Sequence, residues 1–211
     1  MQVAKWGNSL AIRLPATVVE ALELKEGDDI EVHIAGERVF ELEKKPSAKT
    51  LLAKLHQFRG RYPLILSLTA WKRMKTAKPF LDTNVLLYLL SEDNQKADRA
   101  EEIIAFGGII NVQVLNEFAS VASRKLKMTF VEIRETLSII RSICETQALS
   151  VSIHEQGLAI AEQFGFSLYD SMIVSAALDA GCSILYSEDM QHGQAIGSLV
   201  INNPFLPSLP N

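Results

Sequence analysis

The sequence predicts two modules in one chain of 211 residues: a small, mainly β N-terminal unit and a larger α/β unit with a parallel sheet flanked by helices. Three observations predict it. Residues 1–73 hold 12 Lys/Arg against 9 Asp/Glu, a net of +3, whereas residues 74–211 hold 9 against 16, a net of −7. The overall −4 is therefore a sum over two unlike parts. Secondly, the first 45 residues read as short alternating strands with turn residues between them, while strands alternate with helix-length segments after Pro79. Thirdly, 48% hydrophobic and 22% charged residues is a globular composition, which excludes extensive disorder.

In the first part, Ser9 to Leu14 alternates as a half-buried strand and follows an earlier one. Pro15 suits the first turn of a helix over Ala16 to Leu22. Gly27-Asp28 is a turn, Asp29 to Ile34 alternates again, and Ala35-Gly36-Glu37 leads into a strand from Val39 to Leu42. Forty-five residues in short strands bury little alone, so an intertwined homodimer is expected to close the core. Ser47 is expected to cap a helix with Leu51, Leu55 and Phe58 on one face, ending near Gly60. Residues 61–78 carry no sustained period.

From Pro79 the pattern is α/β. Phe80-Leu81 is a strand, then come a helix Val85 to Leu90 and a polar helix Asp93 to Phe106. Gly107-Gly108 turns into the strand Ile109-Ile110. Helices are predicted over 113–125, 129–146, 154–164 and 169–180, with strands at Leu149–Ile153, Ser183–Tyr186 and Leu199–Ile201. Two cysteines without a Cys-x-x-Cys pair exclude a disulfide scaffold and a sulfur-bound metal. No apolar run reaches the roughly 18 residues of a membrane span, and the start lacks a signal-peptide core. A soluble, cytoplasmic protein with no membrane partner is expected.

Four acids differ from the solvated rest by where they fall. Asp82 and Asp189 each follow a short strand, and the carboxyl ends of parallel strands line the ligand crevice. Glu117 shares a helix face with Val114, Phe118 and Val121, and Asp170 opens a helix whose Ile173, Val174 and Ala177 share its face. Taken singly, Asp82 and Asp170 read as helix caps, Asp189 as a turn residue and Glu117 as a helix-surface or internally paired acid. Together they form an acidic cluster without evident basic partners, which repulsion disfavours unless a cation sits among them. Hard oxygen donors suit Mg²⁺ or Mn²⁺, ions that activate water for displacement at phosphorus. The residues alone therefore point to a metal-dependent phosphodiesterase and leave RNA and DNA both open.

Phe80-Leu81-Asp82-Thr83-Asn84-Val85-Leu86, Val114 to Phe118, Tyr169 to Ala177 and Ser187 to Gly193 closely resemble PIN-domain ribonucleases of the VapC toxin type, over about residues 79–205. The resemblance implies Mg²⁺-dependent endonucleolytic cleavage of RNA, with Asp82, Glu117, Asp170 and Asp189 as metal-binding catalytic acids. It makes Asn84 and Ser187 polar supporters. His192, the only histidine near these motifs, is read as a loop or substrate-side contact rather than a base. A haloacid-dehalogenase or receiver-type phosphotransfer site is the rival, but position 84 is Asn rather than a second Asp and no suitably placed lysine follows the later strands.

In the N-terminal part, Lys5, Asn8, Ser9 and Arg13 lie in and around the first two strands, where a twofold axis would double them into a basic strand surface. Val3 to Pro15 and Leu24-Lys25-Glu26-Gly27-Asp28 resemble the SpoVT/AbrB or MazE-like swapped-hairpin DNA-binding domain, over residues 1–45. That implies a homodimer or higher oligomer whose Lys5, Asn8, Ser9 and Arg13 region touches operator DNA, with Trp6 in the dimer core. A VapB-type antitoxin adds a toxin-binding tail to such a domain. Residues 46–78 would supply that helix and a linker, with Arg59 or Arg61 reaching the acidic cluster. A solvated linker is the alternative.

The join at 61–78 has a signature of its own. Met74 to Phe80 looks like the start of a separate toxin. Taking the last base of each codon with the first two of the next, permissible codons for Ser67 to Lys75 spell Phe-Asp-Arg-Leu-Glu-Ala-Asn-Glu, similar to the usual tail of these antitoxins, and a stop fits across Ala77-Lys78. A single frameshift fusing two reading frames is the hypothesis, and it fails if the coding DNA holds no such shifted frame. Residues 79–211 are then the nuclease. The expected function is a fused antitoxin and ribonuclease. The alternative is a DNA-binding autorepressor whose nuclease is masked in cis or inactive.

Overall fold

The computed structural model describes residues 3–26, 28, 30–36, 39–59 and 78–206. The chain divides into two compact units, Met1–Ser47 and Ala48–Asn211. Of the predicted junction at 61–78 only Lys78 is described; the rest, with Arg61, and the turn residue Gly27 lie outside the described residues, as does the Trp6 side chain.

The first unit consists of two hairpins and a short helix. Strand β1 (Val3–Trp6) pairs antiparallel with β2 (Ser9–Ile12), and Gly7 takes the turn at φ +60°, a conformation that suits a residue without Cβ. Helix α1 (Ala16–Ala21) starts behind Pro15, whose fixed φ fits a helix entry. Strand β3 (Ile30–Gly36) pairs antiparallel with β4 (Val39–Lys44) as a separate ribbon. No side chain described between residues 4 and 47 is buried; Leu10 is 75% exposed and Ile34 89%. Two-stranded ribbons with uncovered apolar faces are marginally stable at best in water.

The second unit begins with α2 (Ala48–Leu55), which runs into a 3₁₀ turn, His56–Phe58. There follow β5 (Phe80–Leu81), α3 (Thr83–Leu87) with a 3₁₀ turn over Tyr88–Leu90, α4 (Asn94–Ala105), β6 (Ile109–Asn111), α5 (Val112–Arg124), α6 (Phe130–Ile143) and β7 (Glu145–Gln147). The chain closes with α7 (Val151–Phe164), α8 (Leu168–Asp179), β8 (Ile184–Tyr186), β9 (Ala195–Ile196) and β10 (Leu199–Asn202). The sheet order is β7-β6-β5-β8-β10-β9, parallel except for β9. This is the α/β sheet with flanking helices that the strand–helix alternation predicts. No helix among the described residues is long and apolar enough to cross a membrane.

Close packing at the sheet shows at Gly108, where a Cβ would stand 2.5 Å from Leu81 Cδ1. Helix α2 packs on α4 and α6, and its Leu51, Leu52 and Leu55, with Phe58, join the same buried cluster as Leu81, Ile104 and Ile140. Arg59 then pairs with Asp98 (3.0 Å) and Glu101 (2.8 Å) of α4, His56 Nε2 lies 2.7 Å from Glu101, and Gln57 donates to Glu135 of α6.

Three elements differ from expectation. The predicted strand Leu149–Ile153 is instead the entry to α7, because the Ser150 hydroxyl accepts from Ile153 N–H and caps a helix there. The strand lies earlier, at β7, where Glu145 N–H donates to Gly108. That shortens the predicted helix 129–146, which ends at Ile143, and Thr129 with Glu132 forms a capping box at its start. The two-residue β9 was below the length that alternation detects.

Candidate active site

The site is assembled at the carboxyl ends of adjacent parallel strands. In the register of β5 with β8, Leu81 stands opposite Tyr186, so Asp82 and Ser187 leave the sheet side by side. Asp82 N–H donates to Tyr186 O (3.0 Å), and the Ser187 hydroxyl donates to Asp82 Oδ2 (2.6 Å). Asp82 also caps α3, accepting from Thr83 N–H. Asn84 sits in the first turn of that helix. Its Nδ2 donates to Asp82 Oδ2 (3.0 Å) and to Asp189 Oδ2 (3.2 Å), so one amide joins the acids of two strand ends. The two polar supporters expected from the sequence thus both touch Asp82.

The other two acids come from helices. Asn111, at the end of β6, caps α5 by accepting from Val114 N–H, and Glu117 follows further along that helix. Thr83 Oγ1 donates to Glu117 Oε2 (3.0 Å) and Gln113 Nε2 to Oε1 (2.8 Å). At α8 the cap is Ser167 rather than Asp170. The Ser167 hydroxyl accepts from Asp170 N–H and donates to Asp170 Oδ2 (2.7 Å).

Asp82 is fully enclosed, and its carboxyl is pushed up to about 7. Burial is the main cause; hydrogen bonds from Ser187 and Thr83 work against it, and the nearby charges of Glu117 and Asp170 raise it further. Asp82 is thus the electrostatic centre of the cluster, in the field of Glu117 and Asp170 and joined through Asn84 to Asp189. Asp189 is exposed, and the site opens to solvent there. Among the described residues, no lysine, arginine or histidine forms an ion pair with any of the four. A buried carboxyl beside two more acids is neutralised by a proton or by a cation, and the chemistry of four hard oxygen donors would suit Mg²⁺ or Mn²⁺. As placed, no three acidic, histidine or cysteine side chains among the described residues enclose an ion. Glu117 is held by Thr83 and Gln113, and Asp170 by Ser167.

Arg59 does not reach this cluster. The acid pair Asp98 and Glu101 stands nearer to the end of the 3₁₀ turn and takes the guanidinium instead. His192 is exposed on the loop after β8, where its Nδ1 accepts from Asn203 N–H, a loop-fixing role. Lys5, Asn8, Ser9 and Arg13 are all exposed in the first unit, on and beside the β1–β2 hairpin.

Several site residues went unnoticed in the sequence. Thr83 lies inside the Asp-Thr-Asn motif, Gln113 is one helical turn before Glu117, and Ser167-x-x-Asp170 has the capping-box spacing. Those signals were present. Lys96 and Tyr88, which bind Glu188 beside Asp189, have no local signal at all.

Comparison with known proteins agrees with the two-part reading. Residues 3–50 match the model of the MazE family, described as antidote-toxin recognition MazE, bacterial antitoxin, and residues 80–195 match that of the PIN domain. No curated protein matches the chain. Among solved structures, the chain is similar to VapC20 of Mycobacterium tuberculosis, a sarcin-ricin loop cleaving toxin, at 14% identity and a TM-score of 0.44, over 52% of this chain and 88% of that one. It is also similar to VapBC2 of Rickettsia felis bound to a DNA fragment from its promoter, at 21% identity and a TM-score of 0.45, over 58% and 96%.

Proposed function

Because this chain belongs to the PIN-domain family, with a MazE-type antitoxin domain ahead of it, we propose that its second unit is a Mg²⁺- or Mn²⁺-dependent endoribonuclease and its first an operator-binding dimer. One observation carries the nuclease reading: a fully buried Asp82 at a strand end, gathered with Glu117, Asp170 and Asp189 without a basic partner among the described residues. Asp82, Glu117, Asp170 and Asp189 would hold the ion, which when bound supplies Lewis-acid stabilisation of charge developing at phosphorus. Asn84 and Ser187 fix the Asp82 carboxylate, and Thr83 and Gln113 orient Glu117. Incubating the full chain with single-stranded RNA should give internal cleavage in Mg²⁺ and none in excess EDTA. Cleavage that persists in EDTA, or that consumes DNA alone, would overturn this reading.

For the first unit, the absence of any buried side chain among its described residues argues that a second copy covers the faces of Leu10, Val32 and Ile34. The dimer would present Lys5, Asn8, Ser9 and Arg13 twice to DNA. Arg13→Ala is expected to leave a dimer in sedimentation, weaken operator binding, and lower the slope of log affinity against log salt by about one for each phosphate left without its cation. An unchanged slope would remove Arg13 from the interface.

A second reading, a repressor whose nuclease is masked in cis, draws on α2 and Arg59 being seated on the nuclease unit itself. It predicts operator binding by a parent chain that cleaves no RNA.

A further inference from the structure

Beside the acid cluster lies a second polar assembly, to which the proposed chemistry gives no role. The Lys96 ammonium, on α4, donates to both carboxylate oxygens of Glu188 (2.7 and 3.1 Å) and to the Tyr88 hydroxyl (2.9 Å). Tyr88 in turn donates to Glu188. Lys96 also lies over the Tyr88 ring, 4.3 Å from its centroid, and Phe205 meets Tyr88 edge-on at 4.7 Å. The lysine side chain is only 12% exposed, so this is a shielded charge pair rather than a surface one.

Glu188 is the residue between Ser187 and Asp189. Its side chain points to Lys96, while its neighbours on both sides serve the acids: Ser187 donates to Asp82, and Asp189 accepts from Asn84. Its backbone N–H is directed at Asn84 Oδ1 (3.4 Å), the same side chain that joins Asp82 to Asp189. The turn is therefore fastened on one side by Asn84 and on the other by Lys96 and Tyr88.

We propose that Lys96 is a positioning residue for the acid cluster: by holding Glu188 it fixes the turn that carries Ser187 and Asp189, and so sets the divalent-cation affinity of the site. This rests on the reading of the four acids as the cation site. Partners one step removed from metal ligands commonly change affinity by about 10–100-fold when lost. Lys96 acts through Glu188 and pairs with none of the four acids, so it is not itself a ligand.

The test uses the full chain, with Mn²⁺ as the probe, free Mn²⁺ read by electron paramagnetic resonance, and the unfolding temperature measured in parallel. Lys96→Met should weaken Mn²⁺ binding about tenfold. Glu188→Gln should do the same, and the double variant should be no weaker than either single change, because both break one link. The double variant leaves no unpaired buried charge, so it carries the measurement if either single variant fails to fold. Asp82→Asn separates the two ideas. Parent-like Mn²⁺ binding in Asp82→Asn would sink the cation-site reading. Loss there, with parent-like affinity in the Lys96 and Glu188 variants and only a lower unfolding temperature, would reduce Lys96 to a structural residue and overturn the proposal. Additive losses in the double variant would overturn it as well.

Discussion

Asp82→Asn is expected to lower RNA cleavage at saturating Mg²⁺ by about a thousandfold or more, and to flatten the pH dependence of stability of the metal-free chain. The first effect follows from removing the central charge of the cluster. A cation held there would supply several kcal/mol of stabilisation at the transition state, and each 1.36 kcal/mol or so is a factor of ten. The second follows from the raised carboxyl. In the folded chain Asp82 holds its proton up to about 7, against an ordinary value of 3.8. The folded state therefore binds this proton more tightly than the unfolded state, and its contribution is full below about pH 4. It is lost as pH rises toward 7, a change on the order of 4 kcal/mol for a fully enclosed group. In EDTA the parent should unfold at a lower temperature at pH 8 than at pH 5, and Mg²⁺ should restore part of that loss. The asparagine variant should show neither the fall nor the rescue. Cleavage by the variant within tenfold of the parent would remove Asp82 from the reaction.

What was legible in the sequence follows from how local each signal is. Asp82 and Asp189 could be picked out because short apolar strands precede them, and parallel strands deliver their carboxyl ends to one edge. Glu117 stood out as an acid on an apolar helix face. The Leu149–Ile153 segment was misleading because Leu149, Val151 and Ile153 alternate like a strand, while a single hydroxyl, that of Ser150, tips the backbone into a helix. Arg59, one of two arginines that the sequence allows to reach the acid cluster, pairs with other acids for a different reason. An arginine at the end of a helix finds whichever carboxylates packing brings nearest, and α2 lies on α4, which carries Asp98 and Glu101. The Lys96–Glu188 pair spans 92 positions and has no period or motif to announce it. Such links become visible only when the topology sets α4 beside the turn after β8.

Leu55→Ala is the stability change of largest expected effect, and it also bears on whether the nuclease is masked. Leu55 is completely buried, in a cluster that includes Leu52 and Phe58 from its own segment and the sheet residues Leu81 and Ile110. Truncating a leucine in such surroundings removes its packing and leaves a cavity, at a cost of about 2–5 kcal/mol. Lys54, exposed on the same helix, is the control, since its replacement by alanine should stay within about 0.5 kcal/mol. Equal stability in the two variants, measured by denaturant titration, would mean that α2 is not held on the second unit in solution. If α2 is held there and restrains the nuclease, Leu55→Ala should loosen that grip and raise RNA cleavage at temperatures where the sheet remains folded. Unchanged or lower cleavage, beside the expected loss of stability, would make α2 a structural part of the nuclease unit. The antitoxin-like segment would then serve as the wall of the enzyme it was expected to restrain, and masking would have to come from elsewhere in the chain.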